Sequence, residues 1–154
     1  MNFKTIGTPR NPNSYLNNIT RITEDNDGNL WLSTRGAGLV FYNSVTDSFE
    51  AIYSDPNNKN TPLSNEISTV FTSADGSLWL GYTNGFDRFS PKERTFQHYI
   101  SGTNEIPYIG TIGSFTQTPD GSIWATTQSI GLLKIEPTTG SVSAHSHHSN
   151  QRVP

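Results

Sequence analysis

The pentapeptide Asp27-Gly28-Asn29-Leu30-Trp31 occurs three times in the chain with its Asp, Gly and Trp unchanged. The other copies are residues 75–79 and 120–124, so that successive copies start 48 and 45 residues apart. Self-similarity at such a period indicates a repeat architecture, in which every copy is one supersecondary unit. The residues that fix the frame are Gly28, Trp31, Gly76, Trp79, Gly121 and Trp124.

Each copy predicts four strands. Asp-Gly between two apolar runs is a strong hairpin signal, because glycine adopts a positive φ at no steric cost. The run after the turn holds three consecutive apolar residues, as in residues 30–32, which is typical of a strand covered on both faces. A second glycine (Gly38, Gly85 or Gly131) ends that strand, and two more strands follow before the next copy. Four short antiparallel strands in 45–48 residues are typical of a β-propeller blade.

The sequence therefore predicts an all-β fold of three complete four-stranded antiparallel blades plus one extra strand, a partial or oligomer-completed propeller. We interpret the chain as the last strand and linker of a preceding blade (1–18), blade 1 (19–66), blade 2 (67–111), blade 3 (112–145) and a tail (146–154).

The outer faces of the first and last blades are expected to be apolar. Three blades do not close a ring, and these terminal units lack the polar cap that ends most repeat arrays. Leaving a few hundred Å² of apolar surface wet costs several kcal/mol at about 25 cal/mol per Å². We therefore expect self-association, or the rest of a longer propeller chain, to cover these faces. The residues assigned to them are Leu30, Trp31 and Phe41 at one end and Ile123, Trp124 and Leu132 at the other.

Composition excludes several classes of partner. The net charge of the 154 residues is −3, and the 10 Lys and Arg residues are scattered, whereas nucleic-acid binding needs a basic cluster. No cysteine is present to form a disulfide or a thiolate metal site. No run of 18 apolar residues occurs, so we expect no direct membrane insertion of this segment.

The chain shows no recognisable catalytic pattern. Nucleophile motifs, paired carboxylates and phosphate loops do not occur, so the sequence predicts no catalytic residue, no metal and no cofactor. The tryptophans could form a carbohydrate platform, but their place within an apolar strand favours the core between blades. Asp27, Asp75 and Asp120 are interpreted as turn residues whose carboxylates accept backbone N–H bonds, not as cation ligands.

The histidines are interpreted as surface residues. His145, His147 and His148 form a metal-like cluster in a Ser/Asn-rich tail without an acidic partner, which is typical of adventitious metal binding. His98 lies on a fourth, outer strand and is expected to face solvent.

Candidate ligand-binding residues lie at one end of the blades. The turns between second and third strands and the segments that join successive blades emerge at the same end of a propeller, which we call the rim. Arg35, Asn84 and Gln128 take equivalent places in these turns and differ from copy to copy, while the flanking glycines do not. Tyr82 lies next to the same turn. Variable tips on a fixed frame indicate a shared binding surface, although a tolerant solvated loop would give the same pattern.

Residues 24–39 resemble the repeat of bacterial two-component regulator propellers, reading Glu-Asp-Asn-Asp-Gly-Asn-Leu-Trp-Leu-Ser-Thr-Arg-Gly-Ala-Gly-Leu. Residues 75–89 resemble it as well, and residues 56–65 resemble that family's interblade loop. The likeness extends from residue 1 to about residue 145. The third copy departs most, with Ala-Thr-Thr at 125–127 where the family prefers a Gly-Thr pair.

The resemblance implies the periplasmic part of a membrane-bound histidine kinase or a related signalling protein, which often answers to oligosaccharides. We therefore expect a non-catalytic sensory segment that binds an oligosaccharide, another small ligand or a protein at its rim, without a cofactor. Residues 120–140 are also similar to streptogramin-lyase-like propellers, whose catalytic His and Glu lie in a metal-binding central site that has no match here. Such an enzyme, and a pure protein-assembly scaffold, remain as alternatives.

Overall fold

The structure, a computed structural model, describes residues 18–145. All the secondary-structure elements in that range are β-strands, and they form three separate four-stranded antiparallel sheets. The predicted all-β architecture of three blades is thus confirmed. The strand predicted before blade 1 and the tail at 146–154 lie outside the described residues.

Each sheet is a meander whose strands pair in chain order. Blade 1 contains β1 (Ile19–Glu24), β2 (Leu30–Thr34), β3 (Leu39–Asn43) and β4 (Ser48–Ile52). Blade 2 contains β5 (Thr69–Thr72), β6 (Leu78–Tyr82), β7 (Gly85–Ser90) and β8 (Thr95–Ile100). Blade 3 contains β9 (Ile112–Gln117), β10 (Ile123–Thr127), β11 (Gly131–Glu136) and β12 (Ser141–His145).

The repeated Asp-Gly turns join the first two strands of every blade. Gly28, Gly76 and Gly121 have φ angles of 82°, 82° and 89°. A side chain is strained in this left-handed region, so glycine is the residue that closes the turn without cost. The sequence repeat is therefore the repeat of one backbone conformation.

The first strands lie side by side, and a hydroxyl joins each blade to the next. Thr20 Oγ1 in β1 donates to the carbonyl of Ile67 at 2.8 Å, and Ser68 Oγ donates to the carbonyl of Ile112 at 2.7 Å. Ile67 is not part of β5. Its N–H donates to the carbonyl of Thr34 in blade 1, and β5 begins two residues later at Thr69. In blade 3 the position of Thr20 and Ser68 is Gly113, which has no hydroxyl.

Two apolar cores lie between the blades, and each holds one tryptophan. Trp31 is buried between blades 1 and 2, with its ring 4.9 Å from Phe41 and 5.3 Å from Phe89. Trp79 is buried between blades 2 and 3, where its ring lies 6.4 Å from Phe115. Blades 1 and 2 therefore each present a tryptophan to the blade that follows.

The assignment of Trp31, Phe41 and Ile123 to the outer faces was wrong. Trp31 and Phe41 belong to the first interblade core and Ile123 to the second. Because side chains alternate along a strand, their neighbours Leu32 and Val40 point to the other side of blade 1, where they belong to a third apolar cluster and are 6% and 0% exposed. Exposed apolar residues also lie on the two outer blades. On blade 1, Ile19 and Ile22 are 48% and 57% exposed; on blade 3, Leu132 is 41% exposed and Trp124 is partly exposed.

Candidate functional site

The rim forms as the sequence predicts, because the turns between second and third strands pair with the interblade segments. Arg35 pairs with Glu66, and Thr83 pairs with Thr111, each as an isolated antiparallel bridge. In blade 3 the N–H of Gln128 donates to the carbonyl of Thr111 at 3.0 Å. Each turn is thereby fixed to the chain that enters or leaves its blade.

Blades 1 and 3 share one turn structure. Thr34 Oγ1 donates to the carbonyl of Gly38 at 2.9 Å and accepts the N–H of Ala37 at 2.9 Å. Thr127 makes the same pair of bonds with Gly131 and Ile130, both at 3.2 Å. The residue after each threonine is exposed, and these residues are Arg35 and Gln128.

Blade 2 has a shorter turn, so that Asn84 does not take the place of Arg35. Tyr82 pairs with Gly85, which leaves Thr83 and Asn84 as a two-residue turn with Asn84 at a φ of 65°. The N–H of Asn84 donates to the carbonyl of Gly110 at 2.9 Å, and its side chain is half-buried. Thr83 is the exposed equivalent of Arg35. Sequence reasoning missed it, although the missing residue before Gly85 was the signal.

Tyr82 is not presented at the rim. It is the last residue of β6 and is buried on the face toward blade 1, together with Leu78 and Leu80. Its hydroxyl donates to Asp87 Oδ2 at 2.7 Å. Strand alternation explains the difference from the prediction, because Tyr82 has the same parity as the two buried leucines.

Asp87 lies in β7 and is the centre of a buried polar network. The residue has 0% exposure, and its Oδ2 also accepts the N–H of Leu63 at 3.1 Å. Its Oδ1 lies 2.6 Å from Nδ1 of His98. Burial raises the pKa of Asp87, and hydrogen bonds from His98, Tyr82 and Leu63 oppose that rise. Burial and the Asp87 charge also raise the pKa of Tyr82 well above its usual value.

His98 joins this network to the interblade segment, contrary to the expectation that it faces solvent. Its Nε2 lies 2.7 Å from the carbonyl of Lys59, and its side chain is 21% exposed. A carbonyl only accepts, so Nε2 carries a proton. We call Tyr82, Asp87 and His98, with their contacts to Leu63 and Lys59, the Asp87 clamp.

The Asp-Gly turns of blades 2 and 3 use their aspartates as predicted. Asp75 Oδ1 accepts the N–H of Ser77 at 3.0 Å, and Asp120 Oδ1 accepts the N–H of Ser122 at 3.1 Å. Asp75 also pairs with Arg88 at 2.6 Å, and the Arg88 guanidinium lies 5.7 Å from the Trp79 ring centre. Burial raises the pKa of Asp75, but hydrogen bonds and the Arg88 charge outweigh it, so the pKa is lowered.

In blade 1 the turn role belongs to Asp25, not to Asp27 as predicted. The Asp25 carboxylate accepts the indole N–H of Trp31 at 2.8 Å and the N–H groups of Asp27 and Asn29 at 3.0 and 2.9 Å. Asp25 reaches both the turn and the indole, a task that blades 2 and 3 divide between two residues. Burial raises the pKa of Asp25, but these hydrogen bonds outweigh it and the pKa is lowered.

The described histidines do not assemble a metal site. Within residues 18–145, no three His, Cys, Asp or Glu side chains lie together in a metal-binding arrangement. His145 packs against Trp124, with ring centres 5.1 Å apart. His147 and His148, which the sequence placed in the same cluster, lie outside the described residues. Residues 18–145 also contain no helix able to span a membrane.

Three meander sheets with adjoining inner strands and a common rim define part of a β-propeller. The resemblance noted in the sequence is confirmed: residues 16–36 match the family model described as two component regulator propeller. Histidine kinase P4 of Formosa agariphila is 28% identical over 91 residues, which are 56% of this chain and 7% of the kinase.

Solved structures show the same architecture. The extracellular domain of a hybrid two-component system of B. thetaiotaomicron aligns with a TM-score of 0.73 at 23% identity, over 84% of this chain and 18% of that one. The extracellular domain of a one-component system of the same organism gives 0.67 at 25% identity, over 84% and 16%. This chain thus spans a small part of these relatives.

Virginiamycin B lyase of Staphylococcus aureus, solved as an inactive variant with quinupristin, shares the fold. Its TM-score is 0.64 at 21% identity, over 90% of this chain and 43% of that one.

Proposed function

We propose that this chain is a non-catalytic sensory segment of a bacterial two-component signalling protein, located in the periplasm, and that its rim binds a neutral oligosaccharide. The observation that carries the proposal is the rim itself. Arg35 and Gln128 stand exposed at equivalent positions on turns that are fixed by threonine hydroxyls and by backbone bonds to the interblade segments. Such a rigid frame with variable tips is suited to recognition.

The lining at Gln128 supports a neutral, hydroxyl-rich ligand. Gln128 borders a cleft of about 410 Å³ with Thr111, Gly113, Thr126 and Thr127. This lining offers hydroxyls and an amide and carries no charged side chain. Hydroxyl and amide groups exchange hydrogen bonds with sugar hydroxyls in both directions.

We also propose that further blades or a second copy complete the propeller, and exposed apolar residues on the outer blades support this. Ile19 and Ile22 on blade 1 have the same places as Ile67 and Val70 on blade 2, which are buried against blade 1. Burying their counterparts in the same way would remove the wet apolar surface.

Isothermal titration of the chain with a panel of neutral and acidic oligosaccharides tests the rim. We expect saturable binding of a neutral glycan, and a loss of at least tenfold in affinity in Arg35→Ala and Gln128→Ala. Lys92→Ala is the matched control, because Lys92 is exposed in the turn between β7 and β8 at the opposite end of the blade. Equal affinity in all three variants would overturn the assignment of the rim.

The likeness to the lyase gives the enzymatic alternative a direct test. The chain is incubated with quinupristin, with and without divalent cations, and the products are followed by mass spectrometry. We expect the antibiotic to stay intact. Cation-dependent cleavage would replace the sensory proposal with an enzymatic one, whereas an absence of both cleavage and glycan binding would favour the scaffold.

A further inference from the structure

The outer strands of neighbouring blades border two grooves on the flank of the molecule, and the chain fills the first of them itself. Residues 54–63, which we call the plug segment, lie along β8 between blades 1 and 2. Asn60 Nδ2 donates to the carbonyl of Arg94 at 2.9 Å, and Asn60 Oδ1 accepts the N–H of Phe96 at 3.0 Å. One asparagine amide thus satisfies a donor and an acceptor on the exposed edge of β8.

The second groove, between blades 2 and 3, is open. It has a volume of about 690 Å³ and lies between β8, β12 and the second interblade segment. That segment does not cover the edge of β12, because Ile106 and Ile109 turn inward and are buried in the core. It is also shorter: 12 residues separate Tyr99 from Ile112, against 14 between the equivalent Ile52 and Ile67.

The edge of β12 repeats the groups that Asn60 binds on β8. Ile135 pairs with Val142 as Phe89 pairs with Phe96. The preceding turns also match, since Gly140 N donates to the carbonyl of Glu136 as Arg94 N donates to the carbonyl of Ser90, both at 2.8 Å. Gly140 and Val142 therefore present a carbonyl and an N–H to the second groove as Arg94 and Phe96 present theirs to the first, and both line it.

A buried hydroxyl gives the second groove a further polar group. Tyr99 lines the groove and is 7% exposed, and within residues 18–145 the side chain of Gln97 lies beside its hydroxyl. A hydroxyl both donates and accepts, so a ligand group in the groove can form a further hydrogen bond with it. The corresponding residue of the filled groove, Ile52, offers no such bond.

We propose that the second groove binds an extended peptide segment of a partner protein, and that a side-chain amide of this peptide pairs with the Gly140 carbonyl and the Val142 N–H. The plug segment is the internal precedent for that occupant. Among the lining residues Glu105 is the one carboxylate, and none is Lys or Arg. The groove therefore favours a neutral or basic peptide. The plug segment is itself neutral, because it carries one acidic residue, Asp55, and one basic residue, Lys59.

A labelled synthetic peptide with the sequence of residues 54–63 is the probe, and fluorescence anisotropy with the chain is the assay. We expect saturable binding that falls at least tenfold when the asparagine at position 60 of the peptide is replaced by alanine. This change is made in the ligand, so it does not disturb the fold. Binding that ignores this asparagine, or no binding at millimolar peptide, would overturn the proposal.

Variants of the chain locate the site. Val142→Pro removes the edge N–H, and an edge strand accepts proline where its N–H faces outward. Val142→Ala keeps the N–H and is the matched control. We expect a tenfold loss in the first and less than threefold in the second, with a several-fold loss in Tyr99→Phe. Circular dichroism verifies folding, and if Val142→Pro does not fold, Tyr99→Phe and the altered peptide decide the outcome.

Two further results separate this site from other occupants. Arg35→Ala should leave peptide binding unchanged, so that failure of the rim proposal and failure of this one are distinguishable. Competition by a neutral glycan would instead make the groove a sugar site and overturn the peptide assignment. Self-association of the chain that Val142→Pro abolishes would identify a second copy as the occupant and would also overturn it.

Discussion

Replacing His98 with alanine should release the interblade segment from blade 2. In the Asp87 clamp, His98 is the side chain that connects the buried carboxyl to the Lys59 carbonyl, with contacts of 2.6 and 2.7 Å. After the replacement, Asp87 keeps its bonds from Tyr82 and Leu63 but loses the shortest of its three contacts. The carbonyl of Lys59 loses its donor at the same time.

The size of the effect follows from burial. A hydrogen bond to a charged group contributes about 1.5–3 kcal/mol, and a buried acceptor left without its donor costs about 1–3 kcal/mol. The two figures describe the same lost contact and are not added. The bond to Lys59 contributes about 1 kcal/mol, and water replaces part of it because His98 is 21% exposed. We expect His98→Ala to lower the free energy of unfolding by about 2–3 kcal/mol.

Two assays measure the global and the local effect. Urea unfolding followed by tryptophan fluorescence gives the change in free energy. Limited tryptic digestion gives the local effect, because trypsin cleaves after Lys59. We expect faster cleavage at this bond in His98→Ala, which would show that the segment has opened. Cleavage after Lys92, in the exposed turn between β7 and β8, is the internal control. Unchanged stability together with unchanged cleavage after Lys59 would refute the clamp.

Blade 1 supplies a matched second variant. Val40 pairs with Ala51 at the register where Asp87 pairs with His98. The double change Asp87→Val with His98→Ala recreates that apolar pair and removes the orphaned carboxyl. We expect it to cost at least about 1 kcal/mol less than the sum of the two single changes, since residues in one network are not additive. Cleavage after Lys59 should be as fast in the double variant as in His98→Ala, because neither side chain of the apolar pair can donate to the Lys59 carbonyl.

Three further predictions concern the frame. Trp79→Ala should cost about 3–5 kcal/mol in urea unfolding, and Trp124→Ala clearly less, because the first ring is fully buried and the second partly exposed; equal costs would contradict the assigned faces. Ser68→Ala should cost about 1 kcal/mol through its lost interblade bond, and no change would mean that this bond is replaced by water. The lowered pKa of Asp25 makes its stabilisation complete above its unfolded value near 3.8 and lost as pH falls below it, so Asp25→Asn should flatten acid unfolding in that range. The raised pKa of Asp87 acts in the opposite sense, stabilising the fold at low pH and less as pH rises through the folded value.

The repeat frame could be predicted because it is local. A glycine with positive φ, its neighbouring aspartate and a tryptophan four residues after the aspartate fix one hairpin, and the period of 45–48 residues fixes the blade. The facing of each strand could not be predicted in the same way. Leu30, Trp31 and Leu32 are all apolar, so the alternation of side chains does not show which face of the strand packs against the next blade. That information lies in the neighbouring blade, and Trp31 was placed on the wrong face for this reason.

The Asp87 clamp shows a different limit. Asp87 and His98 are 11 residues apart and meet because β7 and β8 pair in one particular register. A signal was present, since Asp87 stands where blades 1 and 3 have Val40 and Leu133, on a strand that also contains Phe86 and Phe89. A charged residue at a core position indicates a buried network, but only the register identifies its partners.

The two outer faces are unequal, and this bears on what each of them can dock against. Inside the molecule, a hydroxyl of the preceding blade reaches the carbonyl of the isoleucine that opens the next one, from Thr20 and then from Ser68. Blade 3 has Gly113 at this place and cannot donate. A head-to-tail contact between two copies would lack this bond, at a cost of about 1 kcal/mol or roughly fivefold in affinity. The outer face of blade 3 therefore fits a second copy of blade 1 less well than the inner blades fit each other. It is better suited to a blade whose first strand does not need a hydroxyl donor.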